Sequence, residues 1–256
     1  MKSSKALPET FVWPLNLAAW GAVLFVTVFF NLLGILLFPF AWLLDRRTGF
    51  IMHKVAVLWA RSMMVAMRGV WTLRVEGVEN LKPQRPFIFV ANHQSLLDIL
   101  VVLSALPVHF KFVAKKELYS IPFLGWQMAL ARYIGIDRGN AESGREVMRQ
   151  ACGWLKRKVS VVFFPEGTRS LDGQIQPFKM GSFKLAEQEG LELVPLVIDG
   201  TGDTIPKHSW MIKNKACFVL SVGKPVSLKA REDLRPQVEA IGEEMMRRLA
   251  QVRKAL

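Results

Sequence analysis

A histidine and an aspartate stand five residues apart in one short run, V-A-N-H-Q-S-L-L-D, as His93 and Asp98. Ser95 begins a helix-length apolar segment with Asp98 three residues later, the spacing of a capping box with Asp in place of Glu. Residues five apart in one helix point roughly 140° away from each other, so a contact requires His93 to lie in the turn before the helix. We interpret the pair as a candidate base and the carboxylate that orients it.

This pair is the orienting half of a Ser-His-Asp triad without a serine. The chain has no G-x-S-x-G motif, and neither Cys152 nor Cys217 lies in a nucleophile motif. The nucleophile is therefore expected to be a hydroxyl of the substrate. The alternative is that Asp98 only caps a helix and His93 is an ordinary turn residue, which an isolated H-x4-D motif favours.

A second polar run, F-F-P-E-G-T-R-S, spans Phe163 to Ser170 and follows a β-branched and aromatic stretch. That stretch suits a buried strand ending at Pro165. Gly167 permits a positive φ or a close backbone approach, and the forked guanidinium of Arg169 suits phosphate. The alternative is that this charged turn is only a solvent-exposed connection, which is the usual case for a charged turn after a strand. Strands of one sheet, however, place such turns along one rim, so this turn and the His93 turn are expected to lie together.

The two motifs in this order resemble the glycerolipid acyltransferase family, specifically the bacterial 1-acyl-sn-glycerol-3-phosphate acyltransferases. The segments between and after them resemble the other blocks of that family: Lys115 to Leu118 with Ile121 to Trp126, Ile134 to Arg138, and Leu193 to Ile198. The resemblance extends from about residue 75 to about residue 225.

The resemblance implies roles for individual residues. His93 is the general base that takes the proton of the acceptor hydroxyl, and Asp98 orients it, so that the hydroxyl attacks an acyl thioester directly. A phosphomonoester carries nearly two negative charges, which several cations would bind. The implied substrate-binding residues are Glu166, Gly167, Thr168, Arg169, Arg138, Lys115 and Lys116.

The implied reaction moves a fatty acyl group from acyl-CoA or an acyl carrier protein to the sn-2 hydroxyl of lysophosphatidic acid, giving phosphatidic acid. The alternatives are another acceptor (another lysophospholipid, glycerol 3-phosphate or a lyso-aminolipid) or a non-catalytic, membrane-surface lipid-binding protein. No cofactor is expected because a thioester is already activated. The four histidines show no metal-ligand spacing, so no metal site is expected. The oligomeric state is left open.

The N-terminal region predicts attachment to a membrane. No charged residue occurs from Thr10 to Leu44, and about 20 apolar residues span a bilayer core. The segment is too long for a cleaved signal peptide. Gly34 and Pro39 are possible bends that would return the chain to the same leaflet, and a buried core helix is the remaining alternative.

Basic residues follow the apolar segment. Arg46 and Arg47 on its C-terminal side predict a cytoplasmic catalytic domain at the inner membrane. Lys54, Arg61 and Arg68 recur every seven residues and predict one stripe on a helix lying in the headgroup layer with its apolar face down. The alternative is an amphipathic helix packed on the domain.

The chain has a formal net charge of +13 and an isoelectric point near 10.0. A basic chain can bind nucleic acid, but no nucleic-acid-binding motif accompanies the charge. Anionic membrane lipids, a phosphorylated acceptor and an acidic acyl carrier account for it better. The two cysteines lie far apart without motif context and suit a reducing cytosol.

Strand-like and helix-like segments alternate along the rest of the chain, which predicts an α/β domain with a largely parallel or mixed central sheet flanked by helices and preceded by N-terminal membrane helices. We expect a membrane-associated helical region at 1–71 and an acyltransferase domain with a C-terminal basic helix at 72–256. The expected strands are 72–76, 87–91, 110–114, 132–136, 159–164, 193–198 and 216–222. The expected helices are 95–106, 117–130, 141–158, 179–190 and 235–254.

Overall fold

The structure is a computed structural model that describes residues 9–82, 85–202, 204, 215–229 and 232–255, with side chains from Asn16 onward. Over these residues a seven-stranded sheet has the order β1-β7-β6-β2-β5-β3-β4, and all neighbours pair in parallel except β6 with β7. The strands are β1 (Trp71–Glu76), β2 (Ile88–Ala91), β3 (Phe110–Lys115), β4 (Ile134–Ile136), β5 (Ser160–Phe163), β6 (Leu193–Asp199) and β7 (Ala216–Val222).

Helices cover both faces of this sheet. The α-helices of the described residues are α1 (Glu9–Asp45), α2 (Phe50–Ala66), α3 (Leu97–Ala105), α4 (Leu124–Leu130), α5 (Ala141–Lys156), α6 (Gly181–Glu189) and α7 (Leu234–Lys254). Helices α2 and α3 pack on one face, and α5, α6 and α7 on the other. Along β2, Phe89 belongs to the first core, whereas Ile88 and Val90 belong to the second, as the alternation of side chains in a strand requires.

Apolar runs form the central strands because both of their faces are covered. Every residue of β2, β5 and β6 is buried. Strands covered on both faces read as continuous apolar stretches, and this is how these segments read in the sequence. The predicted α/β fold with a mixed central sheet flanked by helices is confirmed.

Helix α1 is apolar and mostly uncovered. Its stretch from Asn16 to Asp45 has 30 residues and a mean hydropathy of 2.5. This stretch is long enough and apolar enough to cross a membrane. It runs unbroken through Gly34 and Pro39. The core helix of a soluble protein would be buried, whereas this helix exposes Leu17, Leu24, Phe25, Phe29, Leu32, Ile35, Leu36, Phe40, Trp42, Leu43 and Leu44. So large an apolar surface indicates association with a membrane.

The rest of the protein holds α1 through polar contacts as well as packing. Trp59 Nε1 in α2 donates to Thr27 Oγ1 at 3.2 Å, and Gln127 Nε2 in α4 donates to the Phe30 carbonyl at 2.7 Å. Phe30 also packs in a small core with Met52 and Val55 of α2. Helix α1 is therefore fixed to the domain and is not a loose tether.

Two expectations about helices are wrong. The apolar face of α2 packs largely on the protein, where Ala56, Val57, Ala60 and Met63 join the core beside α3, and Arg68 lies beyond the helix end. Lys54 and Arg61 do share its exposed side, with Leu58 and Val65 between and after them. The packed alternative is thus the better description.

The helix expected over 117–130 is two elements. A 3₁₀ turn covers Lys116–Ser120, and α4 begins at Leu124. Pro122 disfavours helical backbone at the residue before it, and Phe123 takes a left-handed φ of 64°. One helix therefore does not continue through both elements.

Candidate active site

The residues of interest follow strands that end at one edge of the sheet. Strands β6, β2, β5, β3 and β4 are mutually parallel, so their carboxyl ends share that edge, which is where open α/β sheets bind ligands. His93 follows β2, Glu166 to Arg169 follow β5, Lys115 ends β3 and Arg138 follows β4. Because β2 lies between β5 and β6, the turn carrying His93 has neighbours on both sides.

His93 and Asp98 are in contact. Nδ1 of His93 lies 2.7 Å from Oδ2 of Asp98, and the two side chains are only 8% and 0% exposed. A carboxylate oxygen accepts, so the imidazole donates from Nδ1 and presents the lone pair of Nε2. Helix α3 begins at Leu97, which leaves His93 in the preceding turn as the five-residue spacing requires.

Asp98 reaches back to the start of its own turn. Its Oδ2 also accepts the backbone N–H groups of Gln94 at 2.7 Å and Ser95 at 2.9 Å. This is the backward half of a capping box; in the forward direction the Ser95 hydroxyl makes only a 3.4 Å contact with the Leu97 amide. Asp98 thus folds the turn and orients the imidazole at the same time.

The turn after β5 holds His93 from its other side. Glu166 Oε1 accepts the His93 amide N–H at 2.8 Å, and the Ser170 amide donates to the His93 carbonyl at 2.8 Å. The Phe164 ring stacks on the imidazole with centroids 4.2 Å apart. Backbone and ring of His93 are therefore both held by this turn.

Glu166 is a buried brace for this arrangement. Its second oxygen, Oε2, accepts the Gln176 amide N–H at 3.0 Å. Burial raises the pKa of the Glu166 carboxyl to about 7, against the two backbone hydrogen bonds, which lower it. The side chain ties the His93 turn to the loop that follows the second motif.

Asn92 fastens the other side of the His93 turn. Its Nδ2 donates to the Ile198 carbonyl at 2.8 Å, and its Oδ1 accepts the Ile198 amide at 2.7 Å. The side-chain amide thereby continues the ladder between β2 and β6 one step beyond the end of β2. Its role was missed by reasoning that took Asn92 only as part of a motif.

Gly167 is favoured by its backbone geometry, and its missing side chain leaves room for the end of the Lys179 side chain. Its φ is +74°, and a Cβ added there would stand 2.6 Å from Nζ of Lys179. The Lys179 amide donates to the Pro165 carbonyl at 2.9 Å, which places the lysine across the turn. Lys179 is a further cation beside the turn, and nothing in its sequence surroundings singled it out.

The predicted phosphate-binding cations lie at the same edge. Burial lowers the pKa of the half-buried Arg138 guanidinium, Glu117 raises it, and the nearby charge of Arg169 lowers it further. Arg169 is exposed, as are Lys115 and Lys116. Lys115 pairs with Glu117 at 2.8 Å. Arg138 and Arg169 therefore share one region, while the charge of Lys115 is partly compensated.

An open cavity of ≈ 1070 Å³ adjoins the His93 turn, and α7 supplies part of its wall. Arg253 of α7 contacts Asp199 Oδ1 through Nη2 at 3.1 Å and donates to the Gly173 carbonyl at 2.8 Å. Asp199 in turn accepts Gln94 Nε2 at 3.1 Å. The C-terminal basic helix, whose role was unassigned from sequence, is thus linked through Asp199 to Gln94, the residue next to His93.

Comparison with known proteins agrees with this architecture. The family model described as "Acyltransferase" matches residues 72–199. The chain is 35% identical over 189 residues to the chloroplast 1-acyl-sn-glycerol-3-phosphate acyltransferase BAT2 of Brassica napus, covering 73% of this chain and 54% of that protein. It is 36% identical over 159 residues to the 1-acyl-sn-glycerol-3-phosphate acyltransferase of Saccharomyces cerevisiae, covering 60% of this chain and 52% of that protein.

A solved structure is similar as well. The 1-acyl-sn-glycerophosphate (LPA) acyltransferase PlsC of Thermotoga maritima matches with a TM-score of 0.66 and 28% identity, covering 90% of this chain and 95% of that chain. The chain spans about half the length of the first curated relatives it matches. With half of its residues matched by the family model, the chain belongs to the acyltransferase family.

Proposed function

We propose that the protein transfers a fatty acyl group from a thioester donor, acyl-CoA or an acyl carrier protein, to the sn-2 hydroxyl of 1-acyl-glycerol-3-phosphate, giving phosphatidic acid. The observation that carries this proposal is the 2.7 Å contact between His93 Nδ1 and Asp98 Oδ2, at a sheet edge that also carries Arg138 and Arg169. The names of the similar proteins support lysophosphatidic acid as the acceptor.

His93 acts as the general base. With Nδ1–H donated to Asp98, Nε2 takes the proton of the acceptor hydroxyl as its oxygen attacks the thioester carbonyl carbon. The tetrahedral adduct collapses with cleavage of the C–S bond, and the imidazolium returns the proton to the leaving thiolate. Asp98 stabilises the imidazolium between these steps, as the aspartate of a triad does.

The cations at the edge bind the acceptor's phosphate. Arg169 is exposed, and its guanidinium group can donate two parallel hydrogen bonds to a phosphate. Arg138 lies close enough for the two positive charges to interact. Lys179, and Lys115 or Lys116, add positive charge around them. Glu166 and Gly167 shape this site. Glu166 accepts a hydrogen bond from the His93 backbone, and Gly167 leaves room for the Lys179 side chain beside the turn.

The membrane helix brings the enzyme to its acceptor. We place the protein at the inner membrane with the catalytic domain in the cytoplasm, because Arg46 and Arg47 follow the apolar stretch directly. Lysophosphatidic acid carries an acyl chain and is itself a membrane component. An enzyme fixed to lipid through α1 meets it without extracting it into water.

The test is an acceptor panel with purified full-length protein in detergent. We expect phosphatidic acid from lysophosphatidic acid with at least one of the two donors, detected by mass spectrometry, and loss of the product with His93→Ala. The control is His109→Gln, since His109 precedes β3 at the opposite edge of the sheet. Preference for glycerol 3-phosphate or another lysolipid would reassign the acceptor. Turnover by folded His93→Ala close to wild type would remove the proposed mechanism, and no transfer with any pair of substrates would remove the enzymatic function.

A further inference from the structure

We propose that Thr201 is a positioning residue of the catalytic pair, supplying the hydrogen bond that fixes the plane of the Asp98 carboxylate. Its hydroxyl donates to Asp98 Oδ1 at 2.5 Å, on the oxygen that does not contact His93. Both residues are fully buried. This inference rests on the proposed function, because it concerns how the base of that reaction is held.

The two oxygens of Asp98 are held by different parts of the fold. Oδ2 accepts from His93 Nδ1 and from the amides of Gln94 and Ser95, so all three donors belong to the same short turn. Oδ1 accepts from Thr201, which follows β6 on the neighbouring strand. The carboxylate is therefore fixed at two points that are far apart in the chain.

The Thr201 hydrogen bond adds to the three contacts at Oδ2 in holding the carboxylate plane. The χ2 torsion of aspartate is broad, so without the contact at Oδ1 the carboxylate can turn further about its Cβ–Cγ bond, as far as the contacts at Oδ2 allow. Such a turn changes the direction in which Oδ2 meets the imidazole. The His93 ring would then adopt a range of orientations, and Nε2 would point away from the acceptor hydroxyl in many of them. The rate of proton transfer would fall as a result.

The fold directs the Thr201 hydroxyl into this position. Gly200 directly follows β6 with a φ of +84°, and a Cβ there would stand 2.1 Å from the Cys217 carbonyl oxygen. The chain can turn at this point only without a side chain. Thr201 then faces the β2 turn, where Gln94 Oε1 lies 3.5 Å from its hydroxyl and Asp98 Oδ1 accepts the hydrogen bond at the shorter distance.

The same turn contains a matched threonine that does not reach Asp98. The hydroxyl of Thr204 donates to the Gly200 carbonyl at 2.9 Å, and the residue is buried like Thr201. Its hydrogen bond stabilises the turn alone. Removing the Thr204 hydroxyl therefore removes a hydrogen bond within the turn, whereas removing the Thr201 hydroxyl removes the hydrogen bond to Asp98.

The experiment measures kcat and the KM of each substrate for the full-length protein with Val, Ser or Ala at position 201 and with Thr204→Val. We expect Thr201→Val and Thr201→Ala to lower kcat by about 10- to 100-fold, the loss of one hydrogen bond to a charged group, with both KM values changed less than about threefold. Thr201→Ser keeps the donor and is expected to stay within about threefold of wild type, as is Thr204→Val. Melting temperatures report folding.

Each other result counts against the proposal. Wild-type kcat in folded Thr201→Val and Thr201→Ala, an equal loss in Thr201→Ser and Thr201→Ala, or an equal loss in Thr204→Val would overturn it. Failure of both hydroxyl-free variants at 201 to fold would show a structural residue instead. If wild-type protein transfers no acyl group, the proposed function fails. If wild-type protein transfers an acyl group and loses this activity with His93→Ala, but the variants at position 201 have wild-type kcat, then only the proposal for Thr201 is wrong.

Discussion

Glu166 holds the backbone of His93 and not its ring: Oε1 of Glu166 accepts the His93 amide N–H at 2.8 Å. The carboxyl is buried, and burial raises its pKa to about 7. The acidic residue of the second motif is thus linked through the main chain to His93, the proposed base of the first motif. Its ionisation should influence how firmly the two turns stay together.

We expect the stability advantage of wild type over Glu166→Gln to shrink as pH rises. The folded-state pKa of Glu166 lies near 7, above its ordinary 4.5, so the carboxyl's contribution to the free energy of unfolding is full below 4.5 and is lost as pH rises through 7. Glutamine does not titrate. Melting temperatures of both proteins in one detergent between pH 4.5 and 8 give the difference. An advantage that grows with pH would contradict the raised pKa.

Asp98→Asn should separate the charge of this residue from its geometry. An asparagine can place its oxygen at the Oδ2 position toward the His93 and backbone donors while its NH₂ donates to the Thr201 hydroxyl. We expect near-native melting and a kcat lower by about 10²–10⁴-fold, because the charge that stabilises the imidazolium is gone.

Asp98→Ala is the comparison for that experiment. It leaves buried donors without an acceptor and should melt well below Asp98→Asn. Turnover by Asp98→Asn near wild type would mean that the reaction does not need the negative charge.

Arg169→Ala should weaken the acceptor far more than the donor. Loss of one charge-assisted contact to phosphate costs about 1.5–3 kcal/mol, or roughly 10- to 150-fold in kcat/KM for the lysolipid. Lys115→Ala is the control, since Lys115 is also exposed but already pairs with Glu117 at 2.8 Å, and its effect should be smaller. A response confined to the donor's kinetics would assign Arg169 to the coenzyme or carrier.

Gly167→Ala should impair acceptor use beyond its effect on stability. Alanine at a left-handed φ costs about 1 kcal/mol, and its Cβ would also displace Lys179. Gly190→Ala is matched to it, because Gly190 has a φ of +62° with nothing near an added Cβ. Both should lose similar stability in thermal melts, and only Gly167→Ala should lose kcat/KM for the acceptor. Equal kinetics of the two variants would exclude a role for the close approach of Lys179.

Full-length protein should stay with membranes through a high-salt wash and leave them in detergent. The exposed side chains of α1 bury tens of methylene groups in lipid at roughly 0.8 kcal/mol each, and salt does not weaken that term. Lys54→Glu with Arg61→Glu removes the exposed cations of α2 and should not release the protein at any salt concentration. Protein that stays in solution without detergent would show that α1 does not insert in lipid.

The sequence specified the sheet well because its strands depend on local chemistry. β-branched and aromatic runs bounded by Pro and Gly predicted all seven described strands to within a few residues. The contact between His93 and Asp98 was predictable for the same reason, since five residues and one helix start determine it. The helix expected over 117–130 failed because the restriction imposed by Pro122 outweighs the apolar pattern around it.

Contacts between segments that are far apart in the chain could not be predicted from local sequence patterns. Lys179, Thr201 and Arg253 reach the site only because β2 lies between β5 and β6 and because α7 packs beside β6. Spacing along the chain does not reveal that order of strands. Lys54 and Arg61 show the converse: they share one exposed side of α2 as their spacing predicted, but the cores beside α2 decided which face is covered.

The contact of Arg253 with Asp199 also bears on the order in which the protein is made. Synthesis proceeds from the N-terminus, so α1 leaves the ribosome before the sheet and can reach lipid while the sheet is still incomplete. His93, Asp98 and the β6 turn follow α1, and the wall contributed by α7 is translated after all of them. A nascent chain can thus be anchored before its site is complete, and until α7 docks, the groove beside His93 stands open on one side.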